Sequence, residues 1–174
     1  PKLDSKGFPV LFSIKRKIRG INELSKITFT NNLYPFAHFF NGALIRTEAI
    51  KKIGNVNTDF YLMGDEIDYF FRLKSCGTVC SSLNAKHYHP DVTKREFNIQ
   101  KIYYYIKNSI ILNKKYFNDV QLRNIGIIYI LLYRVFLRNG FGYLISLFFG
   151  KRSKYFYKAI YRGYSNILGK DFDC

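Results

Sequence analysis

From Glu96 to Tyr116 the apolar residues Ile99, Ile102, Tyr103, Ile106 and Ile110 recur at spacings of three and four, the period of one buried helix face. This pattern constrains the fold more than any other feature of the chain. It predicts a long amphipathic helix, with Tyr103 to Tyr105 packed in a core, and long helices dominating the remainder. The most apolar piece runs from Ile125 to Phe149, but its longest uninterrupted apolar run, Ile125 to Tyr133, is nine residues. Arg134, Arg138 and Asn139 fall near its centre. A spanning helix needs about twenty largely apolar residues, and a central Arg costs about 2.5 to 3.5 kcal/mol on insertion scales. The expectation is therefore an amphipathic segment lying in a membrane interface, followed by the basic and aromatic KRSKYFYKAIYR at Lys151 to Arg162.

The chain has 174 residues, enough for one domain of ordinary size or a core with an appended segment, and 48% of them are hydrophobic. That excludes a disordered chain. The formal charge is +16, from 28 Lys and Arg against 12 Asp and Glu. From Lys94 onward there are fifteen Lys and Arg but only Glu96, Asp119, Asp171 and Asp173 as acids, so the excess lies mostly toward the C-terminus. Such a balance favours an anionic partner, and with 18% aromatic residues it suits a membrane interface or single-stranded RNA. Cys76, Cys80 and Cys174 show neither a C-x-x-C nor a finger spacing, so they indicate no disulfide framework or zinc module. Cys76 and Cys80 read as small packing residues in a reducing compartment. Neither a secretory leader, nor a phosphate-binding glycine loop, nor a nucleophile elbow is legible.

Two shorter helices precede this region. Thr47 reads as the N-cap of the first, with Glu48 in its first turn, Lys51 and Lys52 near its end and Gly54 as its stop. The second runs from about Gly64 to Ser75 and closes at Gly77. Phe36 to Ile45 reads as a strand or short buried segment, with a tight backbone approach at Asn41-Gly42, and Val79 to Leu83 as a short strand.

Chemistry concentrates between Asp59 and His89. Four of the twelve acids, Asp59, Asp65, Glu66 and Asp68, crowd into ten residues, and His87 and His89 follow about twenty residues later. Acids in a first helical turn interact favourably with the helix dipole by about 0.3 to 1 kcal/mol each, which explains them without any function. Asp68 lies four residues before Arg72, the spacing of a helical ion pair.

The order of three segments goes further. NGALIRTEAIKKIG (Asn41 to Gly54), DFYLMGDEIDYFFRLKSCG (Asp59 to Gly77) and NAKHYHP (Asn84 to Pro90) resemble, in order and spacing, the C-terminal half of the catalytic domain of glycosyltransferase family 2. YYYIKNSIILNKKY (Tyr103 to Tyr116) and YRGYSNILGK (Tyr161 to Lys170) are similar to the helical ends of its rhamnosyl- and galactofuranosyltransferase-like members. The resemblance implies an α/β fold: residues 1–92 as the acceptor-side part of a GT-A domain and residues 93–174 as a helical, membrane-associated extension.

It also implies an inverting sugar transfer from a nucleotide-sugar donor to a glycan or lipid-linked acceptor, on the cytoplasmic face of the cell membrane. An acceptor hydroxyl needs a carboxylate to take its proton, and the leaving diphosphate needs its charge offset by a divalent cation, Mg2+ or Mn2+. By position the base is Glu66, with Asp65 in reserve, and His89 is the metal ligand, ahead of His87 and His38. Asn41, Gly42, Asp68 and Arg72 are the candidates for lining the sugar site. The family's nucleotide-binding half, with its D-x-D motif, has no counterpart in residues 1–58, so this chain alone is expected not to bind donor nucleotide tightly. Two other classes compete: a non-enzymatic membrane-surface module, which accounts for the tail alone, and an RNA-binding protein, for which no recognisable motif occurs.

Overall fold

Helix signals in the sequence carry through to the structure, a computed structural model that describes residues 33–34, 42–82, 84 and 97–173. The described residues fall into two units. One holds residues 58–65 and 97–173, and the other holds residues 33–34, 42–57, 66–82 and 84.

In the second unit, strand β1 (Leu33–Tyr34) pairs antiparallel with a later strand, and helix α1 spans Thr47–Ile53. Helix α2 (Asp65–Lys74) follows, in this unit from Glu66 onward, and β2 (Ser81–Ser82) completes the pair with Leu33 opposite Ser82 and Tyr34 opposite Ser81. Gly54 ends α1 as expected: its φ of 77° lies in the left-handed region, and its N–H bonds back to the Ile50 carbonyl. The N-cap differs. Arg46 occupies it in extended conformation, and Thr47 is the first helical residue. Arg46 makes no side-chain cap bond, and the turn closes through backbone bonds from Ala49 and Ile50 to the Arg46 carbonyl. Within Val79 to Leu83 the described residues Ser81 and Ser82 pair as strand, and this two-residue ladder is the only sheet among the described residues, which are mostly helical and do not show the α/β architecture that the resemblance implies. Residues 36–41 of the other expected strand lie outside the described residues, and residues 42–46 form no regular element.

The first unit is built on α3 (Ile99–Tyr116). Asn98 caps it, its side chain accepting from the Lys101 N–H at 2.9 Å. Ile102, Tyr103, Ile106 and Ile110 are fully buried, as the periodicity requires. So are Tyr104, Lys107, Asn108, Ile111, Leu112 and Asn113, because α3 is covered on more than one side. Burying apolar side chains of this size stabilises by roughly 1.5 to 3 kcal/mol each. Helix α4 (Val120–Asn139) lays Ile127, Leu131 and Val135 into the same core.

The apolar stretch read as one segment from Ile125 to Phe149 is two helices. Gly140, with φ 83°, ends α4, and α5 (Phe141–Phe149) begins at once. Helix α6 (Ser153–Tyr164) returns along α3, burying Phe156, Ala159 and Gly163. The approach is closest at Gly163, where a Cβ would stand 2.9 Å from Ile110 Cβ and 3.0 Å from the Lys107 carbonyl oxygen. Only hydrogen fits there. The chain then leaves α6 through Asn166, whose φ of 60° suits an asparagine, and lays residues 169–172 against α3.

Candidate functional site

The acidic pair opens α2. Before it, residues 58–64 form an irregular loop that α3 and the C-terminal segment pin down. Asn108 donates through Nδ2 to the Met63 carbonyl at 2.6 Å and the Tyr61 carbonyl at 3.2 Å. The Gly169 N–H donates to the Asp59 carbonyl at 2.9 Å, and Tyr61 meets the Tyr104 ring edge-on at 4.9 Å between centroids.

Gly64 closes this loop with φ 97°, and a Cβ on it would stand 3.1 Å from Leu112 and 3.2 Å from Asn108. Both the backbone conformation and the space admit glycine there. Leu62 also has a positive φ, 64°, which costs a non-glycine residue energy and persists because the neighbouring carbonyls are held. Asp65 thus leaves a fixed loop as the first residue of α2, and Glu66 follows it. Both are half-buried.

Asp68 and Arg72 form the ion pair their spacing predicts, 3.5 Å apart, with the Asp68 side chain fully buried. Arg72 does more than pair. Its guanidinium donates to the Asn55 carbonyl at 2.8 Å and to the Ile53 carbonyl, and lies 5.5 Å from the Tyr69 ring centroid. Arg72 therefore caps the C-terminal end of α1 with charge-assisted hydrogen bonds. Among the residues expected to line a sugar site, Gly42 is exposed with φ 91°.

Asn41, His38, His87 and His89 lie outside the described residues. Among the described residues no group of three or more His, Cys, Asp or Glu side chains converges on a point that could hold a metal ion. Cys76 and Cys80 are free thiols, each half-buried, and Cys76 Sγ lies 3.2 Å from the Leu73 carbonyl oxygen.

A second polar cluster lies in the core of the first unit. Asp171 accepts from Lys107 Nζ at 2.5 Å and from the Tyr103 hydroxyl at 2.9 Å, and Arg162 Nη1 stands 3.4 Å away. Lys107 also donates to the Gly169 carbonyl at 2.7 Å. The Tyr104 hydroxyl accepts the N–H groups of Asp171 and Phe172 at 3.0 and 3.2 Å. Burial pulls the Lys107 ammonium below its ordinary pKa, with the Asp171 carboxylate opposing the shift. Burial, reinforced by the hydrogen bond to Asp171, raises Tyr103 well above an ordinary tyrosine, and burial also raises Tyr104. The cluster clamps the C-terminal segment to α3.

Sequence reading passed over this cluster, although Lys107 carried a signal. It falls on the apolar face of α3, four residues after Tyr103 and three before Ile110, where a cation requires a buried partner. Comparison with family models, with curated proteins and with solved structures finds no match to this chain.

Proposed function

We propose that this chain is the acceptor-side portion of an inverting glycosyltransferase of the GT-A type. Its helical C-terminal part would work at the cytoplasmic face of the cell membrane, on a glycan or lipid-linked acceptor. The observation that carries the reading is the pair of adjacent, half-buried carboxylates, Asp65 and Glu66, in the first turn of α2. A base must be positioned before it is useful, and a half-buried place in a helical turn restricts both side chains.

In this reading Glu66 takes the proton of the acceptor hydroxyl as its oxygen attacks the anomeric carbon. The bond from that carbon to the donor diphosphate breaks, its electron pair leaves with the diphosphate, and the configuration inverts. Asp65 is the reserve base. Asn41 and Gly42 are assigned to the sugar, while Asp68 and Arg72 hold α2 against α1. A divalent cation bound with the donor supplies charge neutralisation at the diphosphate, and His89 is its assigned ligand.

The test is transfer of labelled sugar from dTDP-rhamnose or UDP-galactofuranose to lipid-linked acceptor, in membranes of cells expressing the gene that encodes this chain. Glu66→Gln is expected to lower the rate by roughly 10² to 10⁴ at unchanged protein level. Full activity in both Glu66→Gln and Asp65→Asn would overturn the assignment. A non-enzymatic membrane-surface role is the second reading, favoured by the outward face of α4; an RNA-binding role draws on charge and aromatic content alone.

A further inference from the structure

Helix α4 is apolar on two opposite sides. At about 100° per residue, Ile127, Leu131 and Val135 mark the side turned into the core, while Leu122, Ile125, Tyr129, Tyr133, Phe136 and Leu137 fall on the other, within an arc of roughly 120°. All six are exposed, Leu122 to 71% and Tyr129 and Tyr133 to 57% each. No charged side chain lies among them: Arg123 is buried, bonded to Asp119 at 2.8 Å, and Arg134 and Arg138 are half-buried toward the other side. A helix face solvated by water is normally polar, and a contiguous exposed apolar stripe of this length marks a contact surface. Exposed Phe141 and Phe149 extend the same character onto α5.

Charge identifies the occupant. Residues 120–170 contain nine Lys and Arg and no Asp or Glu. Lys151, Lys154 and Lys170 are exposed, and a row of exposed tyrosines, Tyr157 and Tyr161, runs along α6. A second copy of this chain would bring the same excess of positive charge to the contact. An anionic bilayer instead meets apolar side chains with its acyl boundary, tyrosines with its headgroup layer and lysines with its surface charge, each basic residue near the surface contributing about 1 kcal/mol. We propose that the outward face of α4 is the surface by which the protein seats on an anionic lipid bilayer, lying in the interface. The helix has 20 residues, an 18-residue stretch of which has a mean hydropathy of 1.4, long and apolar enough to cross a membrane, but its Ile127, Leu131 and Val135 side is already buried in protein. The inference rests on the membrane part of the function proposed above and not on its chemistry, so flotation and sugar transfer succeed or fail separately.

The experiment is flotation of the whole chain with vesicles of phosphatidylcholine alone or with about one-third phosphatidylglycerol. The expected result is flotation with the anionic vesicles only, lost in high salt. Tyr129→Glu/Tyr133→Glu is expected to reduce it by about tenfold or more while leaving the circular dichroism melt unchanged. The milder Tyr129→Ser/Tyr133→Ser serves if the charged variant does not fold. Because the chain has no Trp, Tyr133→Trp provides a single reporter whose emission is expected to shift to the blue on the anionic vesicles. Three results would overturn the proposal. They are undiminished flotation of the folded variants, a lipid-free dimer that Tyr129→Glu/Tyr133→Glu converts to monomer, and resistance of the bound protein to alkaline carbonate extraction.

Discussion

Tyr103 carries its hydroxyl to a buried carboxylate, and its protonation is coupled to folding. Burial and the 2.9 Å bond to Asp171 raise its pKa above that of an unfolded tyrosine, about 10. Above that pH the folded state keeps a proton that the unfolded chain releases. The contribution to stability is therefore whole below about pH 10 and lost as pH rises beyond it. Lys107 has the opposite sign. Its pKa is lowered by burial, so approaching about pH 10.5 from below the unfolded chain holds the proton that the folded chain gives up, and its contribution grows with pH. Tyr103→Phe separates the two. It is expected to cost roughly 1.5 to 3 kcal/mol near neutral pH, the worth of a hydrogen bond to a charged group, and this difference from the wild type should shrink above about pH 10. Urea unfolding of both proteins between about pH 8 and pH 11.5 measures it. A difference that stays constant across that range would show that Tyr103 does not titrate with unfolding.

Two helical glycines should answer the same substitution with opposite signs. Gly126 in α4 has nothing within 4 Å of where a Cβ would be, so Gly126→Ala is expected to stabilise by about 0.5 to 1 kcal/mol through helix propensity. Gly163 in α6 has Ile110 at 2.9 Å and the Lys107 carbonyl at 3.0 Å, so Gly163→Ala must push α6 away from α3 and should destabilise by about 1 to 3 kcal/mol. Equal gains from both, in denaturant midpoints, would mean that the α3 and α6 backbones are not held this close. What the sequence allowed at this scale follows from locality. The face of α3 was legible because Ile102, Tyr103, Ile106 and Ile110 repeat within one helix, and the end of α1 because Gly54 adopts a conformation few other residues take. The break at Gly140 was not, since it is one of four glycines between 126 and 150 and the apolar run continues past it. The clamp of Lys107 on Asp171 spans 64 residues, and the ties of Asn108 to Tyr61 and Met63 span 47 and 45, so no local pattern announces them. Of the candidate site, the adjacency of Asp65 and Glu66 and the pairing of Asp68 with Arg72 could be read; the loop that fixes their start could not.

For the whole molecule the dominant electrostatic fact is the +16 charge. Twelve acidic side chains can match at most twelve of the 28 cations one to one, so repulsion among the rest is built in. Several acids are also spent inside. Asp171 serves Lys107 and Arg162, and Asp68 is buried beside Arg72. The exposed lysines, Lys151, Lys154 and Lys170 among them, face solvent in a stretch without a single acid. Salt acts unequally on these two populations. The screening length falls from about 30 Å at 0.01 M to about 8 Å at 0.15 M, which removes most repulsion between exposed charges while a buried pair such as Lys107 with Asp171 is screened far less. Raising sodium chloride from about 0.01 M to 0.15 M is therefore expected to raise the Tm by several degrees, because the destabilising interactions are the ones within reach of the ions. The same addition weakens attachment to an anionic bilayer, so one salt titration should move thermal stability and flotation in opposite directions. A Tm that falls with salt would mean that exposed ion pairs outweigh the net repulsion, and the surface charge would then be arranged for the protein's own stability instead of for an anionic partner.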